Sequence, residues 1–180
     1  IIKKIIEVDS TYNILVVDDN SPDKTYKIVD KLSEENNNIK LIHRSKRSGI
    51  GTAYCVGFKY GIENNFDKII QIDADLSHNP YDIPRLLENA ENHDLVIGSR
   101  YINGISIVNW PLSRLILSYT ANIYAKILTG MRIKDCTGGF KCFNTYVLKD
   151  INFKNINSQG YSFQIEMNYI AYKKNFSIKE

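Results

Sequence analysis

The chain has 180 residues, 43% of them hydrophobic and 24% charged, with a formal net charge of +3. That length suffices for one domain around a single core, and so small a positive charge gives no footing for a nucleic-acid partner. Cys55, Cys136 and Cys142 form no Cys-x-x-Cys pair, which argues against zinc and for free thiols in a reducing compartment, and no apolar run approaches the roughly 20 residues that span a bilayer.

Ile14-Leu15-Val16-Val17-Asp18-Asp19 is a short apolar, β-branched run ending in carboxylates, the pattern of a buried strand. Ser21-Pro22-Asp23 follows with a capping hydroxyl, a proline suited to the first helical position and an acid for the first turn. These predict a helix running to the polar stretch Glu34–Asn38, and Ile39–Ile42 predicts the next strand. The basic knot His43–Arg47 reads equally as a solvated loop or an anion contact. Ser48-Gly49-Ile50-Gly51-Thr52-Ala53 then opens a second helix. Its Gly-x-Gly lacks the third glycine of the dinucleotide fingerprint, because Tyr54 stands in that place, and it lacks the P-loop ending. Backbone amides at such a helix start can still face a phosphate.

Ile69-Ile70-Gln71-Ile72 reads as another buried strand and runs directly into Asp73-Ala74-Asp75-Leu76-Ser77-His78-Asn79-Pro80. Side chains two apart on an extended backbone share a face, so Asp73 and Asp75 can hold one hard cation, and Mg²⁺ commonly binds through one or two carboxylates plus substrate phosphates. A turn closed by a helix cap is the competing reading, since Asp is common in turns. Asn79-Pro80 predicts a helix to about Asn92, followed by strand Leu95–Gly98 and then Ser99-Arg100-Tyr101. Strand alternating with helix predicts an α/β fold with a mostly parallel sheet. Ligands of such sheets bind outside the carboxyl ends of the strands, where Asp18, Asp19, Asp73, Asp75 and Arg100 all fall.

Trp110–Leu128 predicts a long amphipathic helix, interrupted by Arg114 and Lys126. It reads either as a core helix or as a surface lying in a membrane interface. Asp135-Cys136-Thr137-Gly138-Gly139-Phe140-Lys141 is a loop with a glycine pair, an acid and a base, and Lys141 reads as either solvated or a phosphate contact. Gln159–Met167 enters a last helix carrying Gln164 and Glu166, and Phe176–Glu180 begins another strand.

Together, Val17–Asp23, Gly49–Ala53, Asp73–Pro80, Gly98–Tyr101, Asp135–Lys141 and Gly160–Glu166 resemble, in order and spacing, the dolichol-phosphate mannosyltransferases, family 2 glycosyltransferases with the GT-A fold. The resemblance covers almost the whole chain. It implies transfer of mannose from GDP-mannose to dolichyl phosphate with inversion, assisted by Mg²⁺ or Mn²⁺. Carried over by position, Val17 and Asp19 contact the nucleotide, and Asp73, Ala74 and Asp75 hold nucleotide and metal. Ser77 stands where some relatives place a further metal ligand. Arg100 meets the diphosphate, and Lys141, Gln164 and Glu166 complete the substrate contacts, so that Asp75 and Arg100 carry the catalysis. The resemblance further implies small membrane-anchoring subunits and a place on the cytosolic face of the endoplasmic reticulum membrane. The family's opening strand, ending Pro-x-Tyr-Asn-Glu, and its C-terminal end are absent, so residues 1–180 read as one glycosyltransferase domain cut from a longer chain. A glucosyltransferase using UDP-glucose and an inactive nucleotide-binding subunit are the alternatives.

Overall fold

The computed structural model describes residues 1–102 and 112–180. The described chain opens on a helix the sequence pattern had not suggested, α1 (Ile2–Val8), whose Ile2 and Ile5 face inward while Lys3 and Lys4 stay in water. Strand β1 (Ile14–Asp18) pairs in parallel with β2 (Ile39–His43), in a register running from Ile14 opposite Ile39 to Asp18 opposite His43. Helix α2 (Thr25–Glu35) connects them. It starts later than Ser21-Pro22-Asp23 suggested, because Lys24 adopts a left-handed backbone at φ 60° that interrupts the helical turn. Asp23 instead accepts hydrogen bonds from the Thr25 amide and hydroxyl at 3.0 and 2.6 Å, fixing the helix entry from outside.

Helix α3 (Ile50–Glu63) leads to β3 (Lys68–Gln71). After the Asp73–Asn79 segment comes a 3-10 turn, Pro80–Asp82, in which Asn79 Oδ1 accepts from the Tyr81 amide as the cap pattern predicted. The helix beyond it is shorter than expected: α4 is Ile83–Asn89. Strand β4 (Leu95–Ile97) and helix α5 (Leu112–Thr129) follow. Of the helix expected over Trp110–Leu128, the first two residues lie outside the described ones. The chain ends with β5 (Lys141–Asn144), α6 (Thr145–Lys149), α7 (Tyr161–Lys173) and β6 (Ile178–Lys179).

Strands β3, β5, β4 and β6 form a sheet in that order, with β5 antiparallel to both neighbours and β4 parallel to β6. Its first residue, Lys141, pairs with Gln71 and Ile97, the last residues of β3 and β4. The chain therefore enters β5 at the carboxyl rim, and the loop before it, Asp135–Phe140, lies on that rim beside the ends of β3 and β4. This reversed strand is the one departure from parallel order in the larger sheet.

The β1–β2 pair and the larger sheet share no ladder. Helix α3 bridges them, resting Gly57 near Val17 and Leu15, and Gly61 against Ile69. An apolar cavity of about 590 Å³ lies between β1 and β3, and its lining includes Val17, Tyr54, Gln71, Asp73 and Ala74. Behind the larger sheet sits the main core, built on Phe58, Leu95, Phe143, Val147, Phe163 and Met167.

Candidate active site

The carboxyl end of β1 turns out to be a structural knot. Asp18 is buried, and its Oδ2 meets the Ser21 amide at 3.2 Å and His43 Nδ1 at 2.9 Å. Burial alone would raise its pKa, but these hydrogen bonds outweigh it and hold the carboxyl below its ordinary value. His43 is held in turn by stacking on Tyr26 at 4.2 Å. Asp19 Oδ2 accepts from the Ser48 and Gly49 amides, both at 2.9 Å, with Arg44 3.3 Å from its other oxygen. The Gly51 amide is bonded to Gln159 Oε1 at 3.1 Å. The amides of this glycine turn are thus directed at the protein's own side chains. Gly49 sits at φ 93°, a backbone that side-chain-bearing residues rarely adopt, and a Cβ there would press on Gln159 Oε1 at 2.5 Å.

The end of β3 is different. Asp73 Oδ1 receives a hydrogen bond from the Tyr54 hydroxyl, and the Asp73 amide donates to His78 Nδ1 at 3.3 Å. Asp75 and Ser77 are exposed, and the Ser77 amide donates to Asp75 Oδ1 at 2.9 Å. Hydrogen bonding by Ser77, its side chain first and its amide second, lowers the Asp75 pKa, so the carboxylate is ionised at neutral pH. Leu76 sits at φ 63°, the bend that lets Ser77 reach back. Gly139 passes so close that a Cβ would lie 2.8 Å from Asp73 Oδ2. The glycine pair therefore provides room beside a carboxylate.

Arg100, just past β4, is clamped by Asp135: Nε to Oδ2 at 2.7 Å and Nη2 to Oδ1 at 2.6 Å, with Nη2 also 2.8 Å from Thr137 Oγ1. Asp135 is fully buried. Burial pushes its pKa up, but the hydrogen bonds from Arg100 outweigh that and keep it ionised. His78 ties the rim together. It stacks on Phe140 at 5.3 Å, and the charges of Asp73, Arg100, Asp75 and Asp135 all act on it. Burial, seconded by Arg100, lowers the His78 pKa against the pull of the three carboxylates, which fits its Nδ1 serving as an acceptor.

The structure thus gathers Asp73, Asp75 and Arg100 around His78, with Val17 and Ala74 on the adjoining cavity. Ser77 stays with Asp75, while Asp19, Lys141, Gln164 and Glu166 are engaged in other contacts of the protein. Lys141, expected at the phosphates, is fully buried because its strand pairs on both sides, and its Nζ donates to the Gln164 carbonyl at 3.2 Å. Burial pushes its pKa down to about 7. Gln164 is buried as well, accepting from Gln71 Nε2 at 2.9 Å. Glu166 Oε2 accepts from the Ser158 amide at 3.2 Å, bracing the loop before α7. Tyr54, His78 and Asp135 enter the site without having been singled out as site residues. The signal for Tyr54 was its intrusion into the glycine turn.

The residues at the end of β3 fit a divalent cation. Two carboxylates two positions apart stand at an open rim, while among the described residues no group of three His, Cys, Asp or Glu side chains could hold a metal alone. That is the donor set of an ion completed by diphosphate oxygens and water.

Residues 1–151 match the model of glycosyl transferase family 2, and the chain belongs to that family. Its α/β architecture is the GT-A fold of the neighbouring solved structures. Among curated relatives, it is 40% identical over 157 residues to an undecaprenyl-phosphate mannosyltransferase of Micrococcus luteus, covering 87% of this chain and 65% of that one. It is also 40% identical over 170 residues to a polyprenol monophosphomannose synthase of Mycolicibacterium smegmatis, covering 93% and 64%. The chain therefore spans just under two thirds of the length of these relatives. A solved glucosyl-3-phosphoglycerate synthase of Mycobacterium tuberculosis superposes with a TM-score of 0.59 at 17% identity, over 92% of this chain and 56% of that one. No described helix is long and apolar enough to cross a membrane.

Proposed function

We propose that this chain carries the catalytic rim of a transferase that moves mannose from GDP-mannose to a polyprenyl phosphate, with inversion at the sugar carbon. The observation that carries the reading is the gathering of Asp73, Asp75 and Arg100 around His78 at the open end of β3 and β4. The names of the two 40% identical relatives supply the sugar and the class of acceptor. Dolichyl phosphate, the acceptor implied by the sequence resemblance, and undecaprenyl phosphate present the same phosphate monoester to this rim. With dolichyl phosphate the work would fall on the cytosolic face of the endoplasmic reticulum, with small membrane subunits as anchors.

The acceptor's second pKa lies near 6, so at neutral pH it is already a dianion and needs no general base. The barrier lies in expelling a diphosphate and in bringing two anions together. Asp73 and Asp75 would hold Mg²⁺ or Mn²⁺, which when bound neutralises charge developing on the leaving diphosphate. Arg100 adds a cation locked in orientation by Asp135 and Thr137, so little reorganisation is needed as the transition state forms. Tyr54 and His78 fix the acid side of the rim, one through the Asp73 carboxylate and the other through its amide. Glu166 orients the loop ahead of α7 and transfers no proton.

The test is incubation of the full-length gene product with labelled GDP-mannose and either undecaprenyl or dolichyl phosphate, with UDP-glucose as the contrasting donor. The reading expects labelled lipid from GDP-mannose, and competition by GDP rather than UDP. Transfer from UDP-glucose alone, or no transfer to any polyprenyl phosphate, would overturn it.

A further inference from the structure

We propose that Glu180 is a positioning residue for the transfer reaction, its carboxylate holding the turn that aims Asp135 at Arg100. Strand β6 runs beside β4, with Leu95 opposite Ile178 and Val96 opposite Lys179, so the residue after Lys179 arrives at the carboxyl rim. There Glu180 Oε2 accepts from the Lys134 amide at 2.6 Å, and Oε1 accepts from the Asp135 amide at 2.7 Å. Both distances are at the short end for N–H···O contacts, the range of charge-assisted bonds to a carboxylate. The inference rests on the reading of Arg100 as the cation that meets the leaving diphosphate.

The turn needs such a partner. Residues 134–136 lie in no helix or strand, so their amides have no repeating backbone acceptor. Met131 and Ile133 anchor the approaching chain in the core. Beyond them, three successive amides each meet a side-chain oxygen from a distant element. Lys134 and Asp135 meet Glu180, and Cys136 meets Asn122 Oδ1 of α5 at 2.8 Å. Asn168 of α7 completes the frame, its Nδ2 donating to the Cys136 carbonyl at 3.0 Å. The buried Asp135 carboxylate then takes Arg100 Nε and Nη2, and the Arg100 amide at 3.0 Å. Glu180 is the member of this frame that is charged and that holds the Asp135 amide itself. Any shift of that amide passes through a short, doubly bonded pair to the guanidinium. A displacement of about 1 Å at a reacting site can cost about a hundredfold in rate.

The experiment uses the full-length protein and two readouts. One is mannosyl transfer from GDP-mannose to a short-chain polyprenyl phosphate. The other is the Arg100 Nε–H resonance of ¹⁵N-arginine-labelled protein, assigned by its loss in Arg100→Met. Glu180→Asp keeps the charge but draws the oxygens back by one methylene, whereas Glu180→Gln keeps the reach and one acceptor oxygen. At a temperature well below every unfolding midpoint, Glu180→Ala and Glu180→Asp should lower kcat by about tenfold to a hundredfold, with KM for donor within about threefold of wild type. Glu180→Gln should recover most of that loss. In the alanine and aspartate variants the Arg100 signal should shift and exchange faster with water, because Nε loses its fixed acceptor. Wild-type kcat in Glu180→Asp, a raised KM without a fall in kcat, a loss in Glu180→Gln as deep as in Glu180→Asp, or an unmoved Arg100 signal overturns the proposal. Should the alanine variant fail to fold, the aspartate variant carries the test. A wild type that transfers no mannose, with the Arg100 signal still shifting in Glu180→Asp, fails the functional reading and leaves the brace standing.

Discussion

The Tyr54 hydroxyl, projecting from α3, donates to Asp73 Oδ1 beyond the end of β3 and so ties the glycine-turn helix to the acid rim. The ring is stacked on Phe163 at 5.7 Å with an interplanar angle of 7°, so little but the hydroxyl is at stake in this contact. Burial of the phenol, and then the neighbouring Asp73 charge, raise its pKa, keeping it a donor across the accessible pH range. Tyr54→Phe should keep the fold and loosen Asp73. A hydrogen bond to a charged group contributes roughly 1.5–3 kcal/mol, so the KM for donor at fixed Mn²⁺ should rise by roughly tenfold to a hundredfold. Unchanged KM and kcat in that variant would show that Asp73 holds its place without Tyr54.

Arg100 and Asp135 form the second lock. Deleting either partner strands the other charge in a largely buried setting, at a cost of about 3–5 kcal/mol. Arg100→Met and Asp135→Ala should each lower the denaturant midpoint accordingly, and the double variant should lose less than the sum of the two. Strict additivity in that cycle would mean the pair is not coupled.

Lys141 predicts a pH dependence of stability. Its folded pKa, pushed down by burial to about 7, lies below the ordinary lysine value of 10.5. Below pH 7 the ammonium is protonated in both states and the full burial penalty applies. As pH rises the folded state sheds the proton first, so stability should climb from pH 7 towards 9, by at most about 1.4 kcal/mol per pH unit. Above pH 9 the opposite sign sets in, because burial lifts the Cys136 and Cys142 thiols to about 11 and 12 and unfolding lets them ionise. Urea midpoints at pH 7, 7.5 and 8, below the range in which unfolded thiols ionise, should therefore increase for the wild type and stay flat for Lys141→Met. A wild-type profile as flat as the variant's would remove Lys141 as the cause.

Glu166 is expected to act through the loop it braces. Glu166→Gln retains an acceptor for the Ser158 amide, so turnover should fall only modestly with the shape of the pH–rate profile unchanged. Loss of an ionisation from that profile would identify Glu166 as a proton-transfer group.

The rim was legible in the sequence because β-branched runs ending in acids mark strand ends, and alternation with helices sets those ends on one side of the sheet. What pattern could not show is which polar side chains face inward. Lys141 reads as the base that closes a glycine loop, yet Lys141–Asn144 is a strand paired on both edges, and that pairing buries the ammonium. Asp18 and Asp73 look equivalent as strand-end acids. They differ because a histidine and a turn amide claim the first, while a tyrosine and a glycine loop leave the second on the open rim. The short helix α1 escaped notice because its seven residues offer only Ile2 and Ile5 as a buried repeat. These distinctions depend on partners distant in sequence, which local periodicity does not encode.

The central claim is that the acids after β3 hold a divalent ion together with a nucleotide diphosphate. Calorimetric titration of GDP into the full-length protein, with and without Mn²⁺, tests it against Asp75→Ala, whose exposed carboxylate can be removed without disturbing the core. The account predicts Mn²⁺-dependent binding in the wild type and its loss in Asp75→Ala, with unfolding midpoints that agree. Mn²⁺-dependent GDP binding of equal strength in both proteins would contradict it.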